Sequence, residues 1–225
     1  GWWYEGAGIY RHVKLYAKPP VHLSHNGLWI KPILNTASQN DWTVEAEAEI
    51  ENSDYLETAV ELRVLIENAG GNIVADCKSA GVCSGNYKIV MKGNILVANP
   101  KRWDVDSPDL YYAVFELYQD GELIDKDRTT FGFRAVSVDS EQGFFLNGRH
   151  IFLKGTCNHQ DHAGVGVAVP DSVQEYRIRR LKDMGCNAYR CSHNMPAKEI
   201  LDACDKYGII VIDENRRFES SEEVI

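Results

Sequence analysis

The sequence predicts a chain of the β plus α/β class, in which an immunoglobulin-like β-sandwich precedes the first three β-strands and two helices of a (β/α)8 barrel. Between residues 21 and 135, apolar and polar residues alternate in several short runs, which is typical of strands buried on one face. Over residues 136–225, short apolar runs alternate with helical patterns, and each run ends in polar residues. Polar residues at the carboxyl ends of buried strands are typical of a (β/α)8 barrel rim.

Composition excludes several classes of partner. The 225 residues carry a formal net charge of −9, so the acidic chain is not expected to bind nucleic acid or an anionic membrane. No apolar run is long enough to span a bilayer. None of the six cysteines forms a CxxC pair. Cys77 and Cys83 flank a Gly/Ser turn. A disulfide between them in an oxidising compartment stays open, and we favour free thiols.

Residues 1–20 are predicted to be the C-terminal strand of a truncated jelly-roll domain, followed by a linker. Residues 9–16 alternate apolar with polar side chains, as a half-buried strand does. Pro19 and Pro20 then interrupt any strand. Since a lone strand needs partners, we expect the strands that pair with it to precede it in a longer protein.

Three runs of alternating residues predict the strands of the sandwich. They cover residues 43–50, 60–66 and 111–118. The last run meets Asp120-Gly121, the dipeptide that favours a type I′ hairpin turn. Glutamates occupy one face of the first run, and we expect that face to be solvated surface.

Four segments predict the strands of the barrel part. Residues 145–149 form a strand that enters an Asn-Gly turn. Ile151–Leu153 is predicted as a buried strand, and Asn187–Arg190 as the next one. Ile209–Ile212 is a continuous β-branched run, which is typical of a strand buried on both faces. The order β-α-β-α-β implies parallel strands with right-handed crossovers.

Two helices are predicted between these strands. Ser172–Glu175 has the pattern of a capping box that opens a helix, and Gly185 is placed to end it. A second helix covers residues 197–207, with its apolar side chains on one face, and Gly208 ends it.

The first polar segment after a predicted strand contains His159, Asp161 and His162. Their spacing differs from the i, i+4 pair of histidines that binds zinc on a helix, so we assign no metal ligand here. Two interpretations stay open. The histidines stabilise a loop, or they contact a polar ligand at the barrel mouth, and we favour the second.

The second segment contains Arg190, His193 and Asn194. An arginine this close to a buried strand needs a carboxylate partner. The candidate partners are Asp161, Asp213 and Glu214. A layer of ion pairs beneath the site and direct contact with a substrate remain equally open as roles for Arg190.

The third segment contains Asp213, Glu214 and Asn215. Glu214 is a candidate acid or base, or it orients Arg190 and His193. One carboxylate cannot hydrolyse a glycoside, which needs a pair about 5 Å apart for retention or roughly 6.5–9.5 Å apart for inversion. We therefore predict a supporting role or a contact with sugar hydroxyls for Glu214. No phosphate-binding loop, dinucleotide fingerprint or GxSxG elbow is present in the sequence.

Motifs distributed over the whole chain resemble glycoside hydrolase family 2, which contains β-galactosidases, β-glucuronidases and β-mannosidases. The motifs that carry this resemblance follow each other in the family's order. They are Gly8–Val13, Trp103, Ser107–Tyr111, Gly132–Arg134, Phe145–Gly148, Leu153–Gly155, Asn158–Asp161, Arg190–Asn194 and Asp213–Asn215.

The resemblance implies hydrolysis of a β-glycosidic bond with retention. It implies that His159 and His193 line the sugar subsite and that Arg190 lies beneath it. In the family, the acid/base follows the fourth barrel strand and the nucleophile lies near the seventh. Neither segment matches these 225 residues, so we expect the chain alone to be inactive. The Asp-Glu-Asn-Arg form at residues 213–216 resembles β-galactosidase-type members.

The resemblance also bears on cofactors. The best-known β-galactosidase of the family follows its third strand with a Glu-x-His pair that helps to bind magnesium. Residues 217–220 lack that histidine, so no metal ligand is assigned, and a divalent cation such as Mg²⁺ stays open for the longer protein.

We expect a β-galactoside as the substrate. We also expect association with a second copy, because three strands of a barrel leave a sheet edge open. The alternative is a non-catalytic sandwich that binds carbohydrate or a protein. Its stacking platform would come from Trp2, Trp3, Trp29, Trp42 and Trp103.

Overall fold

The computed structural model describes residues 6–38 and 40–214. The chain divides into two compact units. One comprises residues 15–103 and 109–136, and the other comprises residues 1–14, 104–108 and 137–225. Neither helix of the described residues is long and apolar enough to cross a membrane.

The unit of residues 15–103 and 109–136 contains seven antiparallel strands. They are β1 (Val21–Leu34), β2 (Trp42–Asn52), β3 (Thr58–Asn68), β4 (Ile73–Cys83), β5 (Tyr87–Val97), β6 (Tyr111–Gln119) and β7 (Glu122–Phe131). One sheet has the order β1-β2-β5 and the other has the order β4-β3-β6-β7. Seven strands in a three-plus-four arrangement confirm the predicted sandwich.

The alternating pattern places the core of this unit. Every second residue of β2 is buried, and its glutamates lie on the other face. Glu47 and Glu49 form ion pairs with Lys92 and Lys88 of β5, so the acidic face is solvated surface, as predicted. Asp120 and Gly121 both have positive φ values between the paired residues of β6 and β7, which confirms the type I′ turn.

The turn predicted between Cys77 and Cys83 is wrong, because both residues lie on β4, which pairs without interruption with β3 over this stretch. Six residues of strand separate their backbones by about 20 Å, far more than a disulfide spans. All six cysteines of the chain are free thiols. Pairing with β3 therefore outweighs the turn tendency of the Gly and Ser residues between the two cysteines.

The strand predicted for residues 9–16 is also wrong. Residues 6–20 form no strand in the part of the chain that the structure describes. Ile9, Val13 and Leu15 are 85%, 78% and 98% exposed. A strand persists only where a second strand pairs with its backbone groups, and no described strand pairs with this segment.

The other unit begins with a small sheet of order β10-β9-β8. Its strands are β8 (Val136–Asp139), β9 (Gly143–Leu146) and β10 (Arg149–His150). Asn147 and Gly148 both have positive φ values between β9 and β10, so the predicted Asn-Gly hairpin turn is confirmed.

A parallel sheet of order β11-β12-β13 follows. Its elements alternate along the chain as β11 (Gly155–Asn158), α1 (Asp171–Asp183), β12 (Ala188–Cys191), α2 (Lys198–Tyr207) and β13 (Ile210–Ile212). The apolar faces of both helices pack with β12 and the start of β13 around a core of Ile178, Tyr189, Cys191, Ile200, Ala203, Cys204 and Ile209. This is the predicted β-α-β-α-β unit.

The first parallel strand begins later than predicted. Residues 151–154 are irregular, and the strand starts at Gly155, opposite Ala188. The reason is the side chain of Asn187, which accepts a hydrogen bond from the backbone N–H of Lys154 and donates one to the carbonyl of Phe152. These bonds replace strand pairing just before the sheet. A Cβ on Gly155 would lie 2.4 Å from the carbonyl oxygen of Ala188, which favours glycine where the two strands meet.

The helix starts differ from the predicted ones, and the helix ends agree. Pro170 caps α1 without a side-chain hydrogen bond, so the predicted capping box at residues 172–175 is wrong. Gly185 ends α1 in a Schellman motif, in which Gly185 donates to the carbonyl of Lys182 and the next N–H donates to that of Leu181. Gly208 ends α2 with a φ of 71°.

The third parallel strand is less buried than predicted. Ile212 is 44% exposed, and β13 pairs only with β12 among the described strands. A β-branched run is buried on both faces only where helices and further strands cover it.

Candidate functional site

The parallel sheet brings three chain segments to one edge. Because β11, β12 and β13 run in the same direction, the residues that follow them leave the sheet on the same side. His159 follows β11, His193 follows β12 and Glu214 follows β13. Residues distant in the sequence therefore meet at the carboxyl edge of the sheet.

Each carboxylate oxygen of Glu214 contacts a different basic side chain. Oε2 lies 2.7 Å from Nη2 of Arg190, and Oε1 pairs with Nδ1 of His193. The hydrogen bond from His193, followed by the charge of Arg190, holds the pKa of the Glu214 carboxyl below its usual value. Of the three carboxylates considered as partners for Arg190, Glu214 is the one that pairs with it.

The two histidines of the site lie close together. Their ring centroids are 5.9 Å apart at an angle of 65°. Nδ1 of His159 lies 2.5 Å from the carbonyl oxygen of Ser192. A carbonyl only accepts hydrogen bonds, so Nδ1 of His159 carries a proton. The bond fixes the orientation of the His159 ring, and Glu214 does the same for His193.

Cys157 belongs to the same cluster, although no sequence motif indicates a functional role for it. Its Sγ accepts a hydrogen bond from Nη1 of Arg190 at 3.3 Å, and the side chain is exposed. The hydrogen bond from Arg190 is the main cause that lowers the pKa of the thiol. In the same way, the bond to Cys157 is the main cause that raises the pKa of Arg190.

Arg177 of α1 was also missed. Its Nη2 donates to the carbonyl oxygen of His159 at 2.9 Å, which anchors the start of the loop after β11. One signal was available in the sequence. Arg177 precedes the buried Ile178 on the helix face that packs against the sheet, where an arginine needs a specific partner.

The other predicted residues lie around this cluster with different partners. Asp213 accepts a hydrogen bond from the backbone N–H of Glu214 at 2.8 Å. Asn194 donates to the carbonyl oxygen of Met195 at 2.8 Å. Asp161 is half-buried in the loop after β11 and forms no ion pair with Arg190 in the described part of the chain. Asn215 lies outside the described residues.

The cluster is suited to binding and is not arranged for nucleophilic attack. It presents two imidazoles and a guanidinium at one sheet edge, and these groups bind hydroxyl or carboxylate groups of a ligand. Both oxygens of Glu214 are engaged, one by Arg190 and the other by His193, which lowers the nucleophilicity of the carboxylate. Glu214 therefore acts as a support that orients Arg190 and His193.

Comparison with known proteins places both parts of the chain. Residues 21–134 match the family model described as glycosyl hydrolases family 2. Residues 136–221 match the model described as glycosyl hydrolases family 2, TIM barrel domain.

Curated relatives and solved structures agree with these matches. A β-galactosidase of Bacteroides ovatus, BoGH2A, is 35% identical over 212 residues, covering 94% of this chain and 25% of that protein. A β-glucuronidase of Bacteroides fragilis is 31% identical over 216 residues, covering 90% of this chain and 30% of that protein. The crystal structure of a glycosyl hydrolase family 2 member from Bacteroides cellulosilyticus is 34% identical with a TM-score of 0.90, covering 95% of this chain and 29% of that one. The chain thus spans about a quarter of the length of the curated relatives it matches.

Proposed function

The chain belongs to glycosyl hydrolase family 2, and from this premise we propose that the protein that contains it hydrolyses terminal β-galactosides with retention of configuration. One observation carries the proposal. Glu214 pairs with both Arg190 and His193 at the carboxyl edge of a parallel sheet, and His159 lies beside them. This is where a barrel binds its substrate.

In the proposed site, His159 and His193 hold hydroxyl groups of the sugar. Asp161, Asn194 and Glu214 contribute further contacts to it. Supporting roles are assigned to Arg190, Asp213 and Asn215. Residues 1–20, 21–135 and 136–225 would be the end of a jelly-roll domain, the sandwich and the first part of the catalytic barrel.

The proposed chemistry uses two further glutamates from other segments of the longer protein. One protonates the glycosidic oxygen as the bond to the anomeric carbon breaks, and the other attacks that carbon to form a covalent glycosyl-enzyme. Water then releases the sugar with its original configuration. Glu214 is neither of the two, because its oxygens are engaged by Arg190 and His193.

The relatives differ in the sugar that their names give. The B. ovatus relative named a β-galactosidase supports a galactoside. Two relatives whose names include β-glucuronidase are 34% and 31% identical to the chain. A glucuronide is therefore the competing substrate, and the assay has to include it.

The non-catalytic sandwich module receives little support. A stacking platform needs exposed aromatic rings on one face. Trp42 and Trp103 are each 1% exposed and belong to the core, whereas Trp29 is 46% exposed. Trp2 and Trp3 lie outside the described residues. Carbohydrate binding by residues 21–135 alone would revive this alternative.

The test is a hydrolysis assay on nitrophenyl β-glycosides, with galactoside, glucuronide, mannoside and glucoside in parallel. The uninterrupted gene product is compared with the 225-residue chain. We expect the longer protein to cleave the galactoside and the chain alone to cleave none. If the longer protein prefers the glucuronide, a glucuronide replaces the galactoside as the proposed substrate. If neither protein hydrolyses any of the four glycosides, the proposed reaction class is wrong.

A substitution in the longer protein tests the site. We expect His193→Ala to lower kcat/KM for the preferred glycoside by about tenfold to a hundredfold, which is the effect of losing one or two hydrogen bonds to the substrate. His150→Ala is the matched control. His150 lies on β10, and its ring packs against the ring of Phe145 on β9. If the two variants are equally active, His193 does not bind the sugar as proposed.

A further inference from the structure

A second polar cluster lies in the same unit, away from the Glu214 network. A cavity of about 340 Å³ is bounded by residues 9–12, by the loop at residues 167–170 and by the first turns of α1 and α2. None of the residues that line it belongs to the group of His159, Arg190, His193 and Glu214. Of the residues assigned to the proposed sugar site, Asn194 lines this cavity, so the two sites are neighbours that share one side chain.

Three side chains from three separate segments converge at this cavity. Nε2 of His12 lies 2.8 Å and 3.1 Å from the two carboxylate oxygens of Asp171. The same nitrogen lies 3.8 Å from Oε1 of Glu199. One ligand atom from each residue lies within 4.8 Å of the other two. In the described part of the chain, these are the only three metal-ligating side chains brought this close together.

A buried amide next to these residues lacks a partner. Gln174 is 7% exposed, lines the same cavity and follows Asp171 by one helical turn on α1. Its Oε1 has no hydrogen-bond donor among the described residues. A buried amide oxygen without a donor is costly, and a water molecule in the cavity would satisfy it.

The ordinary explanations account for only part of this arrangement. A carboxylate in the first turn of a helix is stabilised by the helix dipole, which suits Asp171 and Glu199 separately. An exposed His–Asp pair contributes little by itself. Neither explains why both carboxylates approach one imidazole nitrogen, or why an unpartnered amide oxygen belongs to a residue that lines the same cavity. The guanidinium of Arg11, which also lines the cavity, is held by the carbonyls of Met195 and Pro196.

We propose that His12, Asp171 and Glu199 bind a divalent first-row cation of the Zn²⁺ class, and that Gln174 accepts a hydrogen bond from a water on that ion. One imidazole nitrogen and two carboxylate oxygens are ligands that Zn²⁺ favours. Bonds of about 2.0–2.2 Å in tetrahedral geometry separate ligand atoms by roughly 3.4 Å. The observed separations of 2.8 Å and 3.8 Å need only small side-chain rotations to reach that value.

The test measures metal binding by the 225-residue chain directly, so it does not depend on glycosidase activity. The protein is stripped with a chelator, equilibrated with Zn²⁺ and analysed for bound metal by mass spectrometry and for affinity by calorimetry. We expect about one ion per chain, with binding at least about tenfold weaker in His12→Ala and in Glu199→Gln. The matched controls are His25→Ala and Asp202→Asn, the latter on the same helix as Glu199 and paired with Lys198.

Cobalt distinguishes this site from the free thiols of the chain. Co²⁺ bound by one nitrogen and carboxylate oxygens gives weak visible bands and no thiolate charge-transfer band. We expect those visible bands in the parent chain and their loss in His12→Ala. The proposal is overturned if no ion binds, if His12→Ala binds as the parent does, or if a thiolate band shows that cysteines hold the metal.

Discussion

At the scale of single residues, Glu214 connects two strand ends through one carboxylate. It accepts from Arg190 and His193 at the same time. Protonation of Glu214 would weaken both contacts, and this is why its pKa is held below the usual value. The role of Glu214 is thus to keep a guanidinium and an imidazole in place.

The first prediction concerns the pH dependence of Glu214. Because its pKa is lower in the folded state, its stabilising effect is fully present above the usual pKa of a glutamate and is lost as the pH falls through the lowered value. We expect His193→Ala to move the pKa of Glu214 upward, because the largest cause of the shift is removed. NMR titration of the side-chain carboxyl carbon measures it, with His150→Ala as the control. An unchanged pKa in His193→Ala would contradict the hydrogen bond.

The second prediction concerns the reactivity of Cys157. Since Arg190 lowers the pKa of this exposed thiol, more of it is thiolate at neutral pH, and the thiolate is the species that iodoacetamide alkylates. We expect Cys157 to react before Cys204, whose pKa burial raises well above the usual value. Arg190→Met should slow alkylation of Cys157 by about threefold to tenfold, measured by peptide mass spectrometry. The control Arg180→Met removes an exposed arginine paired with Asp183, and an equal slowing there would refute the argument.

The sequence was sufficient to predict which residues would share a sheet edge, but not all of their contacts. His159, Arg190, His193 and Glu214 follow parallel strands, and parallel strands have a common carboxyl edge. Which carboxylate pairs with Arg190 depends on side-chain rotamers, and it was left open. Cys157 was missed because its partner, Arg190, is distant in the sequence and no local pattern indicates the contact. Arg177 was missed although it precedes the apolar Ile178, because its partner is the backbone of His159.

At the scale of elements, regular periodicity predicted strands well and boundaries poorly. β2, β3 and β6 alternate apolar with polar residues and were predicted. β4 contains glycine, serine and cysteine residues, and its conformation is imposed by its neighbour β3. The start of β11 depends on hydrogen bonds made by Asn187, which precedes β12 and cannot be linked to β11 from the sequence.

The third prediction compares the two glycines that end the helices. Both have positive φ values, 88° for Gly185 and 71° for Gly208. A Cβ on Gly185 meets no other atom within 4 Å, whereas a Cβ on Gly208 would lie 2.3 Å from the carbonyl oxygen of Val105. We expect Gly185→Ala to lower the free energy of unfolding by about 1 kcal/mol through backbone strain alone. Gly208→Ala adds a steric clash, and we expect it to cost about 1–3 kcal/mol more.

Circular dichroism at the helical wavelength during urea unfolding measures both variants, since both described helices belong to this unit. If the two variants lose equal amounts of unfolding free energy, Val105 moves away from the added Cβ without an energetic cost. A larger loss in Gly185→Ala would contradict the steric argument altogether.

At the scale of the whole molecule, the parallel sheet has uncovered apolar surface in the described part of the chain. β11 and β13 each pair with one described strand, β12. Phe152 and Ile212 are 73% and 44% exposed, although parallel sheets are ordinarily covered on both faces. The sequence predicted an open edge from the number of strands, because a strand with one neighbour leaves backbone groups unpaired.

The fourth prediction is that the 225-residue chain, produced alone, associates through this sheet. Unpaired N–H and C=O groups of an edge strand pair readily with another copy, and exposed apolar side chains add to the attraction. Light scattering after size-exclusion chromatography should therefore show a mass that rises with protein concentration. We expect Ile212→Lys to reduce association, because a charge at an edge strand opposes pairing.

Leu123→Lys, at a 49% exposed position of the sandwich strand β7, is the matched control and should leave association unchanged. A monomer at every concentration, or equal effects of both lysines, would show that the open edge of β13 does not drive association.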